Sequence, residues 1–184
     1  MILPIVAYGD PVLKKKAVDI DANYPGLKDL IANMYETMYK AAGVGLAAPQ
    51  IGLSIRLFIT DGEPFEEEEV SKFKQVFINP EIIEEDGKLW SFNEGCLSIP
   101  GIREDVVRHE NLRIRYMDEN FVEKEESYSG LAARIIQHEY DHVEGVLFTD
   151  KLSPLRKRLL KKKLTDISKG ACDVDYRMKF PLRK

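Results

Sequence analysis

The chain has 184 residues, of which 44% are hydrophobic and 32% charged, and its formal net charge is −4. This length allows one substantial core, so a single domain over residues 1–184 is expected. The negative charge argues against nucleic acid as the main partner, no run approaches the ~20 apolar residues of a membrane span, and two cysteines provide no disulfide framework, so a cytoplasmic protein is predicted.

The first periodic segment predicts a helix that closes near Gly43. Its apolar residues at helical spacing are Leu27, Leu30, Ile31, Met34 and Met38. The small residues of Gly43–Gln50 then complete neither a dinucleotide-binding pattern nor a Walker pattern. A loop that lets a peptide backbone approach closely is the better interpretation, because Gly45 has no side chain to obstruct an extended substrate.

Strand-like runs follow along the middle of the chain. They are Ile55–Thr60, Gln75–Asn79, Ile82–Glu84, Val106–Arg108, and the pair Leu112–Met117 and Phe121–Glu125 around an Asp-Glu-Asn turn. The acidic run Glu66–Glu69, inside residues 62–74, is predicted to be a solvated surface loop.

Cys96 lies in the segment Glu94–Gly101, which has glycines and a proline around the cysteine. These residues predict a constrained turn that fixes a side chain and exposes backbone N–H groups. Taken alone, a single buried cysteine is more often a small apolar core residue than a metal ligand. Two other candidate ligands are weaker, because His109 ends a polar strand-like stretch and Cys172 lies in a charged tail.

The pattern His-Glu-x-x-His is typical of helices that present two imidazoles to one metal ion. Residues four apart share a helix face, so His138 and His142 can reach a common ion. Glu139, on such helices, is usually the general base and not a ligand. A pair of hydrogen-bonded core histidines is the alternative interpretation of this helix alone.

The ends of this helix can also be predicted. Its inward-facing stripe runs through Leu131 and Ile135 before it reaches the two histidines. Ser127 and Ser129 offer N-cap oxygens, and Gly145 stands where a left-handed residue would end the helix.

A basic helix is predicted from Pro154 to about residue 168, followed by a short tail. Leu159 and Leu160 interrupt its charges, so one face is expected to pack while the other stays charged. The charged face could contact ribosomal RNA where nascent chains emerge, although a solvated helix is the simpler interpretation.

The order of the elements predicts the fold class. Strands outnumber helices, and the two do not alternate in a repeating β-α-β pattern. We therefore expect an α+β fold in which largely antiparallel sheets wrap around the central metal-binding helix.

Three motifs together resemble the peptide deformylase family. They are Gly43–Gln50, Glu94–Ser98 and Gln137–His142, and they stand in the family's order. The similarity extends to Ile5–Leu13 and to the Asn79-Pro80 step, so it covers roughly residues 1–150. The resemblance implies a similar fold and removal of the formyl group from N-formylmethionine at the start of newly made proteins.

The resemblance also implies a set of metal ligands. The family's cysteine ligand matches Cys96, its histidine ligands match His138 and His142, and its catalytic glutamate matches Glu139. One thiolate and two imidazoles suit zinc or ferrous iron, and suit magnesium or calcium poorly. The resemblance implies Fe²⁺ as the native ion, with Zn²⁺, Ni²⁺ or Co²⁺ as possible substitutes.

The remaining predicted site residues serve charge stabilisation and substrate binding. An oxyanion needs donors, and the candidates are the side-chain amide of Gln50 and the backbone N–H of Leu97, as at the matching positions of the family. Glu139 would take a proton from the attacking water and pass it to the departing amine. The pocket for the methionine side chain has three candidates: Val44, Leu131 and Ile135. They could equally be ordinary core residues.

Two other functions stay open from the residues alone. Zinc endopeptidases with this helix usually take a third carboxylate or histidine downstream, whereas Cys96 lies about forty residues upstream of the helix. A non-catalytic protein with a structural zinc would need four protein ligands, and binding of Cys172 to the ion would support it.

Overall fold

A five-stranded antiparallel sheet is the framework of this computed structural model, which describes residues 1–182 apart from the side chains of residues 68 and 69. The strands are β1 (Ile5–Val6), β2 (Gly45–Ala47), β3 (Leu57–Asp61), β4 (Lys74–Cys96), β5 (Ile99–Met117), β6 (Glu123–Ser129) and β7 (Met178–Lys179). The helices are α1 (Leu27–Lys40), α2 (Glu68–Ser71), α3 (Gly130–Val143) and α4 (Pro154–Ser168), with 3-10 helices at Pro11–Lys14, Ala48–Ile51 and Phe148–Lys151. Strands β2 to β6 pair in sequential order. The predicted α+β class is confirmed.

A second, two-stranded sheet is parallel and joins distant parts of the chain. Ile5 pairs with Met178, and Val6 pairs with Lys179. This pairing fixes the tail after α4, for which the sequence predicted no structure.

The hairpin of β4 and β5 is longer than predicted. Four predicted runs merge into these two strands: Gln75–Asn79 and Ile82–Glu84 into β4, and Val106–Arg108 and Leu112–Met117 into β5. Register shifts interrupt the β4 pairing, the first of them between Ile78 and Glu81. Residues 84–89 are exposed, so no apolar alternation marks this part as a strand.

Smaller corrections concern three connections. The predicted loop Gly43–Gln50 contains strand β2 and the start of a 3-10 helix. The predicted loop Glu66–Glu69 runs into the short helix α2. The strand predicted from Phe121 begins only at Glu123, because Phe121 has a φ of 57° and belongs to the turn.

At strand β3, a helix covers each face of the sheet. Leu57 and Ile59 pack in a cluster with Met34 of α1, whereas Phe58 packs in another cluster with Ile136 of α3. This division follows from the two-residue period of a strand. Helix α3 thus packs on one face of the sheet, against strands β2, β3, β5 and β6.

Helix α4 matches the predicted basic helix, but the face that packs differs from the prediction. Leu164 and Ile167 are buried, and Leu160 lies partly buried on the same face. Leu159 is 61% exposed and Leu155 is 57% exposed, so the expectation that Leu159 packs is wrong. Neither this helix nor any other within residues 1–182 is long and apolar enough to cross a membrane.

Candidate metal centre

Helix α3 carries the two histidines of the predicted site. It begins directly after Ser129, whose side chain makes no capping hydrogen bond, and Ser127 lies in β6. Gly145 adopts the left-handed conformation expected after the helix, with a φ of 75°. A Cβ atom at Gly145 would lie 2.7 Å from the carbonyl oxygen of Lys14, so the close approach also requires glycine.

The side chains of Cys96, His138 and His142 converge at one point. Their donor atoms all lie within 4.8 Å of one another, and Cys96 Sγ is 3.4 Å from His142 Nε2. Sulfur and nitrogen ligands of one tetrahedral zinc ion would be about 3.6 Å apart. The donor set therefore fits a divalent ion of this size. Within the described residues the group includes neither His109 nor Cys172.

A buried ionic network holds His138 from behind. Its Nδ1 is 2.8 Å from Glu94 Oε1, and Glu94 also accepts hydrogen bonds from Arg108, at 2.7 and 2.9 Å, and from Arg134, at 2.8 Å. Arg108 donates a further bond to Asp141, at 2.7 Å. Burial opposes ionisation of Glu94, but hydrogen bonds from His138 and Arg108 hold its pKa well below its usual range. The charged carboxylate can thus fix the ring orientation of His138.

This role of Glu94 was not predicted from the sequence. A usable signal was present, because Glu94 and Cys96 are two residues apart in a strand and so lie on the same face. Similarly, Arg134 and His138 are four apart on α3. That this strand face packs against this helix face, however, is decided by the tertiary structure.

Glu139 lies beside the three donor atoms and is almost fully buried, with 5% of its surface exposed. Burial raises the pKa of its carboxyl to about 7. Its Oε2 is buried without a hydrogen-bond partner among the described residues, and the same is true of His142 Nδ1. An unpartnered carboxylate oxygen next to a ligand cluster is suited to binding a water or a substrate proton.

Gly45 makes room for this glutamate. A Cβ atom at Gly45 would lie 2.7 Å from Cδ of Glu139, so the glutamate side chain would have to move. The predicted reason for this glycine was access of an extended substrate. Its contact with Glu139 is an additional reason that the sequence alone did not reveal.

Gln50 is oriented by the backbone next to it. Its Oε1 accepts a hydrogen bond from the N–H of Ala47 at 2.9 Å, which turns Nε2 toward Cys96 Sγ and Ser98 Oγ, each at 3.4 Å. Leu97 lies in the tight turn between β4 and β5. The predicted turn around Cys96 is thus present, and it brings Leu97 next to the cluster.

A cleft of about 510 Å³ opens over the cluster. The predicted substrate-binding residues all line it: Val44, Gly45, Leu131 and Ile135. Ile135 is only 5% exposed, so it also belongs to the core. Phe65 and the tail segment 173–176 line the cleft as well, and neither was predicted to do so.

Comparisons with known proteins agree with this geometry. The sequence model of the family described as polypeptide deformylase matches residues 2–158. The chain is 60% identical to the peptide deformylase of Christiangramia forsetii, over 100% of this chain and 98% of that relative, and 58% identical to that of Cytophaga hutchinsonii, over 100% of both. A crystal structure of a peptide deformylase from Legionella pneumophila has a TM-score of 0.82 and 39% identity, over 93% of this chain and 98% of that one. These matches favour a deformylase over an endopeptidase or a structural-zinc protein.

Proposed function

Because the chain belongs to the peptide deformylase family of metal-dependent hydrolases, which remove N-formyl groups, we propose that its ion is bound by Cys96, His138 and His142. The observation that carries this proposal is the convergence of their donor atoms within 4.8 Å. The described residues add no fourth protein donor to the group. A catalytic ion needs one coordination position without a protein ligand, so that water or substrate can bind there. A structural zinc has protein ligands at all four positions.

Glu139 is the proposed proton carrier. The ion, when bound, would supply Lewis acidity toward the attacking water and the formyl oxygen. Glu139 would accept a proton from the attacking water through its unpartnered Oε2 and then donate it to the departing amine. Its burial under the cleft keeps this proton from exchanging with bulk solvent during the reaction.

Gln50 and Leu97 are the proposed oxyanion donors. Attack on the formyl carbon places negative charge on its oxygen, and hydrogen-bond donors fixed in advance stabilise that charge. The bond from Ala47 holds the amide of Gln50 in its orientation, so its Nε2 needs no reorganisation during the reaction. The backbone N–H of Leu97 would be the second donor.

The substrate peptide would lie in the cleft beside β2, which is an edge strand of the five-stranded sheet. An extended peptide can align with such an edge because its own backbone groups are then paired. Gly45 permits a close approach, and the formyl-methionine side chain would enter the apolar part of the cleft near Val44, Leu131 and Ile135.

The activity is tested with two substrates. Formate release from an N-formyl-Met peptide is measured beside internal cleavage of an unformylated peptide, by a formate assay and mass spectrometry. We expect formate and a free amine from the first peptide, and no fragments from the second. The reverse pattern would contradict the proposal.

A variant pair tests the oxyanion site. Gln50→Leu should lower kcat about 10²- to 10³-fold, the usual effect of removing one such donor. Gln75→Leu is the matched control, because Gln75 lies in β4 and does not line the cleft. Equal losses in both variants would show that the effect is not local.

We propose Fe²⁺ as the native ion, with Zn²⁺, Ni²⁺ or Co²⁺ able to replace it. Thiolate and imidazole ligands suit all four ions. A thiolate-ligated ferrous ion is open to oxidation, whereas zinc has no redox chemistry. Activity of the iron form loaded without air should therefore fade when air is admitted, while the zinc form keeps its activity. Unchanged activity over hours, with iron still bound, would contradict this proposal.

Nascent N-formyl-Met polypeptides are the proposed substrates, and this assignment fits the predicted cytoplasmic location. Ribosome contact through the basic face of α4 is a further proposal. It rests on the lysines and arginines between residues 156 and 163.

A further inference from the structure

The tail after α4 returns to the candidate active site. Residues 173–176 form part of the cleft lining, and β7 follows them directly. Two backbone hydrogen bonds of 2.9 Å, from Ile5 N to Arg177 O and from Ala7 N to Lys179 O, hold the tail against β1. The match to the family model ends at residue 158, so this wall of the cleft lies outside the matched range.

Tyr176 is the point at which the tail contacts the turn between β4 and β5. Its hydroxyl donates a hydrogen bond of 2.7 Å to the carbonyl oxygen of Leu97. The ring is partly buried against the cluster that contains Met34 and Met38 of α1. The hydroxyl is therefore held by packing and not only by its own bond.

The same turn is fixed at other points. The N–H of Tyr8 donates to the carbonyl oxygen of Ser98 at 2.8 Å, and the side chain of Leu97 packs tightly over Gly43. The carbonyl groups of the two turn residues thus accept hydrogen bonds from Tyr176 and Tyr8. These tyrosines lie next to β7 and β1, which pair with each other. Such bonds restrict rotation of the peptide planes within the turn.

We infer that Tyr176 is a positioning residue for deformylation. Its bond to the Leu97 carbonyl holds the peptide plane that follows Leu97, and together with the packed Leu97 side chain this bond fixes the residue whose N–H is the proposed oxyanion donor. This inference rests on the proposed function of Leu97 as an oxyanion donor. A donor that stabilises developing charge is effective only if its direction is fixed in advance. Loss of the tyrosine hydroxyl should therefore weaken binding of the transition state more than binding of the substrate.

The kinetic test is Tyr176→Phe, which keeps the packed ring and removes only the hydroxyl. With zinc-loaded protein and an N-formyl-Met peptide, we expect kcat to fall about five- to tenfold while KM stays nearly constant. Tyr24→Phe is the matched control, since Tyr24 is also partly buried against this cluster and its hydroxyl has no hydrogen bond within residues 1–182. The control should keep the wild-type kcat.

A spectroscopic test detects the bond itself. Protein labelled with ¹³C at leucine carbonyls and ¹⁵N at serine gives signals only from Leu-Ser pairs, which here are Leu53-Ser54, Leu97-Ser98 and Leu152-Ser153. In the zinc form of Tyr176→Phe, the Leu97-Ser98 signal should shift and the other two should stay in place.

Three results would overturn the inference: an unchanged kcat in Tyr176→Phe, a loss that appears mainly in KM, or a lower kcat without a shift of the Leu97-Ser98 signal. If the proposed oxyanion site itself is wrong, Gln50→Leu should keep the wild-type kcat. This result distinguishes failure of the proposed function from failure of the inference about Tyr176. A low kcat in Gln50→Leu beside a normal kcat in Tyr176→Phe would overturn the role of Tyr176 alone.

Discussion

Helices α3 and α4 have 14 and 15 residues and both carry many charges, but they place those charges differently. Arg134 of α3 is 2% exposed and bonded to the buried Glu94. In α4, the side chain of Lys162 is 92% exposed and that of its partner Asp166 is 40% exposed. A buried charge must keep its partner, whereas a solvated charge can be replaced at small cost. Charges of the first kind organise the candidate active site, and charges of the second kind leave a surface available to partners.

The largest expected contrast concerns turnover. Glu139→Gln should lower kcat about 10²- to 10⁴-fold, because the proton carrier is lost, and should leave one ion per chain. Cys96→Ala and His142→Ala should instead lose the ion. Metal analysis of the purified variants beside formate release checks this, with Asp166→Asn in α4 as the control that changes neither. Loss of the ion in Glu139→Gln would mean that Glu139 is a ligand.

Stability should show the next contrast. Glu94→Gln leaves the buried Arg134 without a carboxylate and leaves Arg108 with Asp141 alone, so the free energy of unfolding should fall by about 3 kcal/mol. Asp166→Asn removes an exposed partner in α4 and should cost no more than about 0.5 kcal/mol. Urea unfolding at equal metal content measures both values. Similar losses of unfolding free energy in the two variants would contradict the proposed difference between the buried charges around α3 and the exposed charges of α4.

Gly45→Ala tests the contact between β2 and α3. The added methyl group would displace the Glu139 carboxylate, so kcat should fall about 10- to 100-fold while the metal content stays the same. A double-mutant cycle with Glu139→Gln identifies the cause, because the second substitution should add little once Glu139 is gone. Additive losses would indicate that Gly45 acts through the substrate and not through Glu139.

The smallest effect on the isolated enzyme is expected in α4. Arg158→Glu combined with Lys161→Glu should change the free energy of unfolding by less than about 0.5 kcal/mol and leave kcat on short peptides unchanged. Co-sedimentation with ribosomes at low salt should weaken, since both side chains are exposed and positively charged. Unchanged co-sedimentation would argue against the proposed ribosome contact.

Elements with a regular apolar period could be predicted from the sequence. Helices α1, α3 and α4 each combine helical spacing with a recognisable end, and the histidine pair followed from a spacing of four. The length of β4 could not be predicted, because its outer part is exposed and irregular in register. A strand without a buried face has no hydrophobic pattern.

For the candidate site, the three side chains that converge were predicted from the sequence and its family resemblance, but the groups that hold them were missed. Glu94 contacts partners 14, 40 and 44 positions away, and Tyr176 contacts a residue 79 positions away. Such pairs arise only when the sheet and helices have packed. Local spacing can place two residues on one face, but it does not show which faces pair.

The parallel pair β1 and β7 has a consequence for the order of events during synthesis. Ile5 is made 173 residues before its partner Met178. The first strand must therefore wait, without its β7 partner, while the five-stranded sheet and helices α1, α3 and α4 are produced. Contacts of such high sequence separation form slowly, because a long loop must close before they stabilise anything. The cleft wall held by β7 would accordingly be completed only after the rest of the candidate site has been made.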